Sequence, residues 1–141
     1  MMIQSLDQTA EIEAATHAAE AESLLAAGTF GTALRASPEF VRLLAAGASL
    51  GADDAAQEAI DAFNTLQSEL RLEIRMGVLD AAQRANLQRV QATMLAFPTV
   101  SEYVAAQTDF EAICRETAAL VTSEIGVDFA ANCRSGGCCG G

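Results

Sequence analysis

The strongest constraint in this chain is a repeated apolar spacing that doubles back on itself. From Asp53 to Met76, Ile60, Phe63, Leu66, Leu70 and Ile74 recur at steps of three, three, four and four, the spacing of one face of an α-helix. An arm of that length runs roughly 35 Å at ~1.5 Å per residue. A second arm starts near Asp80 and carries Leu87, Val90, Met94 and Phe97. Between them, Gly77-Val78-Leu79-Asp80 is short, and a short connection makes the two helices antiparallel neighbours. Pro98 interrupts the return arm, either opening a new helix or kinking a continuous one. The apolar phase then resumes through Val100, Tyr103, Val104, Phe110, Ile113, Cys114, Leu120, Val121 and Ile125. There is no internal repeat and no credible strand. The predicted class is all-α: a helical bundle built on a long antiparallel helical hairpin, with a flexible Cys/Gly-rich C-terminal tail.

The flanks supply the punctuation. Asp7 or Thr9 can cap a first helix whose narrow stripe is Ala14, Ala18, Ala21, Leu24 and Leu25. Gly28-Thr29-Phe30-Gly31 predicts a break or a kink in it. Ser37-Pro38-Glu39 is a start signal: a capping hydroxyl, a proline suited to the first helical position, and a carboxylate at the positive end of the helix dipole. Phe40, Val41, Leu43 and Leu44 anchor the helix that follows, Gly47 and Gly51 weaken it, and Asp53 can cap the first hairpin arm. Gly126 is a stop signal, after which Phe129 can fold back as an anchor. Residues 1–131 read as one helical domain and residues 132–141 as the tail.

Composition adds two limits. Hydrophobic residues make up 51% of the chain, but thirty residues are Ala, which favours helix and buries little, and Trp is absent. A long hairpin with so few bulky side chains is expected to complete its core by oligomerising. The net charge is −11, and all eight basic residues are Arg. Such a surface argues against direct DNA or RNA binding, which relies on cationic side chains to neutralise phosphates. No secretory signal or bilayer-spanning run is visible, so the expected location is the cytoplasm, away from the membrane, with reduced thiols.

Chemistry concentrates in the last nine residues. Cys133, Cys138 and Cys139 lie within seven residues of one another, among Gly, Ser and Arg. Thiolates close together on permissive backbone suit a soft metal or an iron–sulfur cluster. Three thiols are one short of a closed four-ligand site, so the fourth ligand would come from another subunit, a partner or solvent. The alternative is a thiol tail with no ligand. Cys114, on the apolar face, is expected to be a small buried hydrophobe, and His17, the single histidine, a surface residue. Arg71, Arg75, Arg84 and Arg89 flank the hairpin tip. They are either a basic patch or a set of helical pairs, with Glu69 and Glu73 set against Arg71 and Arg75. Nothing has the pattern of an active site: there is no Ser/His/Asp set, no phosphate-binding Gly loop and no carboxylate pair with an acid–base partner.

The order of these signals resembles a known family. Ala33-Leu34-Arg35-Ala36-Ser37-Pro38-Glu39-Phe40 is similar to its first block. Asp53 through Leu70 is similar to its long helix, and Phe97-Pro98-Thr99-Val100-Ser101-Glu102-Tyr103 to its N-P-x-V-x-x-Y block. Ile125-Gly126-Val127-Asp128-Phe129-Ala130 followed by Cys133 is similar to its closing block and Cys-rich tail. The family is that of the YlbF/YmcA helical regulators, and the resemblance covers about residues 15–139. It implies an all-helical, oligomeric, non-enzymatic protein. In Bacillus relatives, YlbF and YmcA form a complex with a third protein, YaaT, and that complex carries iron–sulfur clusters and is associated with RNase Y-dependent mRNA processing, competence and biofilm development. Carried over by motif, Cys133, Cys138 and Cys139 are the candidate ligands of a cluster, such as 4Fe–4S shared with another chain, or of zinc.

Two functional expectations follow. The leading one is a regulator or adaptor acting through protein partners, namely copies of itself, related helical subunits or a ribonuclease complex. The competing one is a free-standing metal- or iron–sulfur-binding redox protein that uses the C-terminal cysteines.

Overall fold

The computed structural model describes residues 3–129 and 131. Six helices account for nearly all of them, and there is no strand among the described residues: α1 (Ile3–Arg35), α2 (Pro38–Gly51), α3 (Asp54–Glu69), α4 (Arg71–Met76), α5 (Ala81–Leu95) and α6 (Pro98–Ile125). The protein is all-α. It divides into two compact units, residues 1–41 and 42–141, with the boundary inside α2.

In the first unit, α1 runs through Gly28 and Gly31 as one helix, so the break that was one of the two expectations there does not occur. Each glycine costs a helix interior about 1 kcal/mol relative to Ala, and a long Ala-rich helix tolerates two. Thr29 and Thr32 donate their hydroxyls to the carbonyls of Leu25 and Gly28, one turn back, both at 3.1 Å. The helix ends where Ser37 takes over. Its Oγ accepts the Phe40 N–H at 3.3 Å and donates to the Leu34 carbonyl at 2.7 Å, so one side chain closes α1 and opens α2.

In the second unit, α3 lies along α5 and forms the hairpin; α6 packs on α5. The turn is built from two sequence signals. Gly77 takes φ +68°, the left-handed conformation a Cβ disfavours, and the Val78 and Gly77 N–H groups close back onto the carbonyls of Glu73 and Ile74. Asp80 then caps α5 reciprocally: its carboxylate accepts the Gln83 N–H at 2.7 Å while the Gln83 side chain accepts the Asp80 N–H at 2.9 Å. Pro98 opens a new helix, with extended backbone at Phe97, rather than kinking an old one. Gly126, at φ +73°, stops α6.

The first arm differs from expectation in one respect. It is interrupted at Leu70, which sits at φ −94°, ψ 10° between α3 and α4. The hydrogen-bond ladder survives, since Leu70 N–H still donates to Leu66 and its carbonyl still accepts Ile74, so the arm is divided rather than ended. Beyond that point burial fails: Leu66 and Leu70 are half-buried, but Ile74, in phase with them, is exposed.

The buried core is small and lies where α2, α3 and α6 begin or end. Leu50, Ala56 and Val100 form it, with Ile60, Met94, Phe97 and Tyr103 packed against it. Small residues bring these helices close: Ala56 and Ala106 are fully buried, and Gly47 faces the Tyr103 ring, where an added Cβ would stand 3.6 Å from a ring carbon.

Candidate interaction surface

Two polar clips fasten the second unit around its core. The Arg42 guanidinium on α2 grips Glu102 on α6 as a fork, Nε to Oε1 at 2.8 Å and Nη2 to Oε2 at 3.1 Å, and its third nitrogen reaches Asp109 two helical turns further on. Bidentate pairing fixes geometry as well as charge. The Arg42 hydrogen bond holds the Glu102 carboxyl below the usual carboxylate range, and Glu102 in turn raises the Arg42 pKa. The second clip is Asp53. One oxygen caps α3 through the Ala56 N–H at 3.1 Å, and the other accepts the Thr99 hydroxyl at 2.7 Å. The Thr99 bond first, and the Ala56 bond second, lower the Asp53 pKa.

Both carboxylates are therefore easier to ionise in the folded protein than in the unfolded chain. Their contribution is complete above the ordinary carboxylate pKa of about 4 and is lost as pH falls through the depressed values. Thermal melts should show Tm declining below about pH 4. Asp53→Asn keeps an oxygen for the cap and loses the acceptor for Thr99, so it should lower Tm at neutral pH and make the acid decline shallower. An unchanged acid slope would remove Asp53 from this role.

The sequence-derived site residues fall as follows. Cys133, Cys138 and Cys139 lie outside the described residues. Cys114 is a free thiol on α6, but it is half-buried rather than enclosed as expected. The reason lies in its neighbours: Phe110 and Val121 are also only half-buried and Leu120 is 67% exposed, so this face of α6 is not fully covered by its own chain. His17 is a surface residue, 3.9 Å from the Glu20 carboxylate. Among the described residues no group of three or more His, Cys, Asp or Glu side chains is placed to hold a metal.

The arginines at the hairpin tip do not pair as expected. Arg71, Arg75, Arg84 and Arg89 are exposed, and the ion pairs among the described residues involve His17 and Arg42 instead. Glu69 and Glu73 are each two residues from an arginine, and side chains two apart on a helix do not face one another. Arg84 donates to the Leu79 carbonyl at 3.2 Å and Arg89 to the Asn86 side chain at 2.8 Å, neither of which neutralises its charge.

Around these arginines stand exposed aliphatic side chains: Leu72, Met76 and Val78 are each at least 60% exposed. A shallow groove open to solvent runs along α3 and α4, lined by Asn64, Gln67, Ser68, Arg71, Ile74 and Arg75. A neighbouring depression is lined by Asp61, Asn64, Thr65, Ser68 and Glu69. The arrangement, helical faces with exposed apolar residues beside uncompensated charge, is suited to protein contact. Among the described residues, no helix is long and apolar enough to cross a membrane.

A family model described as control of competence regulator ComK, YlbF/YmcA, matches residues 24–126. The match takes in α2 to α6 and both polar clips, and it ends before Cys133. No curated protein and no solved structure matches the chain.

Proposed function

Because the chain belongs to the YlbF/YmcA family of regulators, we propose that it acts as a non-enzymatic helical adaptor, working through protein partners in ribonuclease-dependent RNA processing. The observation that carries this reading is the family match over the helical region whose surface leaves Leu72, Met76, Val78 and Leu120 exposed. Exposed aliphatic side chains at that density are a cost to an isolated helical protein and an asset to one that docks. The partners in this reading are further copies of the chain, related helical subunits and a ribonuclease or its scaffold.

The tail supplies the metal-binding part of the proposal. Cys133, Cys138 and Cys139 have the donor chemistry of a soft-metal or iron–sulfur site and number one fewer than a closed site uses. They would hold an iron–sulfur cluster or zinc together with a ligand from another chain. Such a group would supply an ordering element or a redox-sensitive link between chains, and Cys114, on α6, takes no part in it.

Affinity capture from the lysate of the source organism, with the full chain as bait under anaerobic conditions, tests the adaptor role. The expected result is co-recovery of a ribonuclease or its scaffold, lost at high salt. Recovery of the bait and nothing else would count decisively against it.

A further inference from the structure

The charge along this chain is not evenly spread. From Arg71 to Arg89 four arginines stand among two carboxylates, Glu73 and Asp80, while the rest of the chain carries four arginines against seventeen carboxylates. The groove along α3 and α4 lies at this island of positive charge. Its lining residues, Asn64, Gln67, Ser68, Arg71, Ile74 and Arg75, recur at steps of three, one, three, three and one. That spacing makes them one stripe, which continues through the interruption at Leu70. The stripe runs roughly 16 Å at ~1.5 Å per residue, about three helical turns. Arg71 and Arg75 stand one turn apart on it, and neither has a carboxylate partner among the described residues.

The chemistry of the stripe selects its occupant. Guanidinium groups form forked hydrogen bonds with carboxylates and phosphates alike. Ile74 adds an aliphatic contact that a phosphate backbone would leave unused, and Leu72 and Met76, on the same short helix, are largely exposed as well. The net charge of −11 opposes a long polyanion over its whole length, whereas a short acidic segment feels chiefly the charges within about 10 Å of it. A shallow stripe of this length, with no strand edge on α3 or α4 for an extended peptide to join, suits a helix laid along it.

We infer that this groove docks an acidic amphipathic helix of a different protein, with carboxylates paired to Arg71 and Arg75 and aliphatic side chains laid against Ile74. Asn64, Gln67 and Ser68 supply hydrogen bonds along the rest of the stripe. The inference rests on the reading of the protein as an adaptor, and it names the surface and the chemistry of the partner.

The test uses the full chain and a fluorescein-labelled synthetic helix of about 20 residues, rich in alanine, with glutamates one turn apart beside leucines. The comparison is the same helix with every glutamate replaced by glutamine. Fluorescence anisotropy at low salt should find the glutamate helix bound at least about tenfold more tightly. The net charge of −11 by itself would set the opposite order. Arg71→Glu with Arg75→Glu should abolish the preference. Arg35→Glu with Arg115→Glu, an equal change in charge at exposed positions that do not line the groove, should keep it. Circular dichroism of each variant checks that helix content is retained. Equal affinity for the two helices would overturn the assignment, as would an equal loss in both variants. A single-stranded oligouridylate that binds the wild type and is released by Arg71→Glu with Arg75→Glu would overturn it in favour of nucleic acid. Self-association of the wild type that the same variant abolishes would overturn it in favour of a second copy. In capture from lysate, a protein recovered equally by the wild type and by Arg71→Glu with Arg75→Glu would overturn the groove and leave the adaptor standing, whereas a wild type that recovers none would overturn both.

Discussion

Val100→Asp is expected to unfold the second unit. Val100 is 3% exposed and belongs to the cluster with Leu50 and Ala56, where α2, α3 and α6 meet. No polar side chain is buried there to receive a carboxylate, since the buried residues among those described are Ala46, Leu50, Ala56, Val100 and Ala106. Burying an unpaired charge costs several kcal/mol, a large part of the roughly 5–15 kcal/mol that keeps a domain folded. Val100→Ala separates charge from cavity: removing two methyl groups from the site should cost about 1–3 kcal/mol and leave a cooperative transition at lower Tm. Urea melts followed by circular dichroism would resolve the two. A folded Val100→Asp protein with near-native stability would mean that the core around Val100 admits water.

The second large effect concerns the tail. The triple variant Cys133→Ser, Cys138→Ser and Cys139→Ser is expected to abolish iron or zinc binding in protein purified anaerobically, alone or with its partners. Helix content should be unchanged, because the described core contains none of the three residues. Cys114→Ser should keep full metal content. Metal analysis of the two variants beside the wild type decides the matter. Wild-type protein that carries no metal in either setting would withdraw the tail from the proposal, and loss of metal in Cys114→Ser would contradict the separation of α6 from the site.

How far the sequence could be read depended on the range of each interaction. Signals acting within one turn were legible: Ser37-Pro38, Gly77, Asp80, Pro98 and Gly126 each end or begin a helix, because a cap, a missing N–H or a left-handed φ acts on its immediate neighbours. The hairpin and the all-α class followed from periodicity. The polar clips were not legible, since Arg42 meets Glu102 and Asp109 across 60 and 67 residues, and Asp53 meets Thr99 across 46. Neither was the interruption at Leu70, where no proline or glycine marks the spot and the apolar phase runs on to Ile74. Gly28 and Gly31 erred in the other direction, because glycine lowers helix stability without abolishing it. For the site, the concentration of arginines at the tip was visible in the sequence. Their lack of ion-pair partners was a question of angle around the helix, which a count of nearby charges does not answer.

The interruption at Leu70 has a kinetic consequence. It leaves α4 as a six-residue segment with no buried residue of its own, joined to α3 by the hydrogen bonds at Leu70. Its hydrogen bonds run on from α3 through Leu70, but with no buried side chain of its own this segment is expected to open more readily than α3, which carries the buried Ala56. A contact made through Arg71, Ile74 and Arg75 then has to tighten a loosely held strip of chain as it forms. That ordering is subtracted from the affinity. What the protein gains is tolerance, since a strip that opens and recloses can adjust to partners of differing shape while the core around Val100 stays fixed.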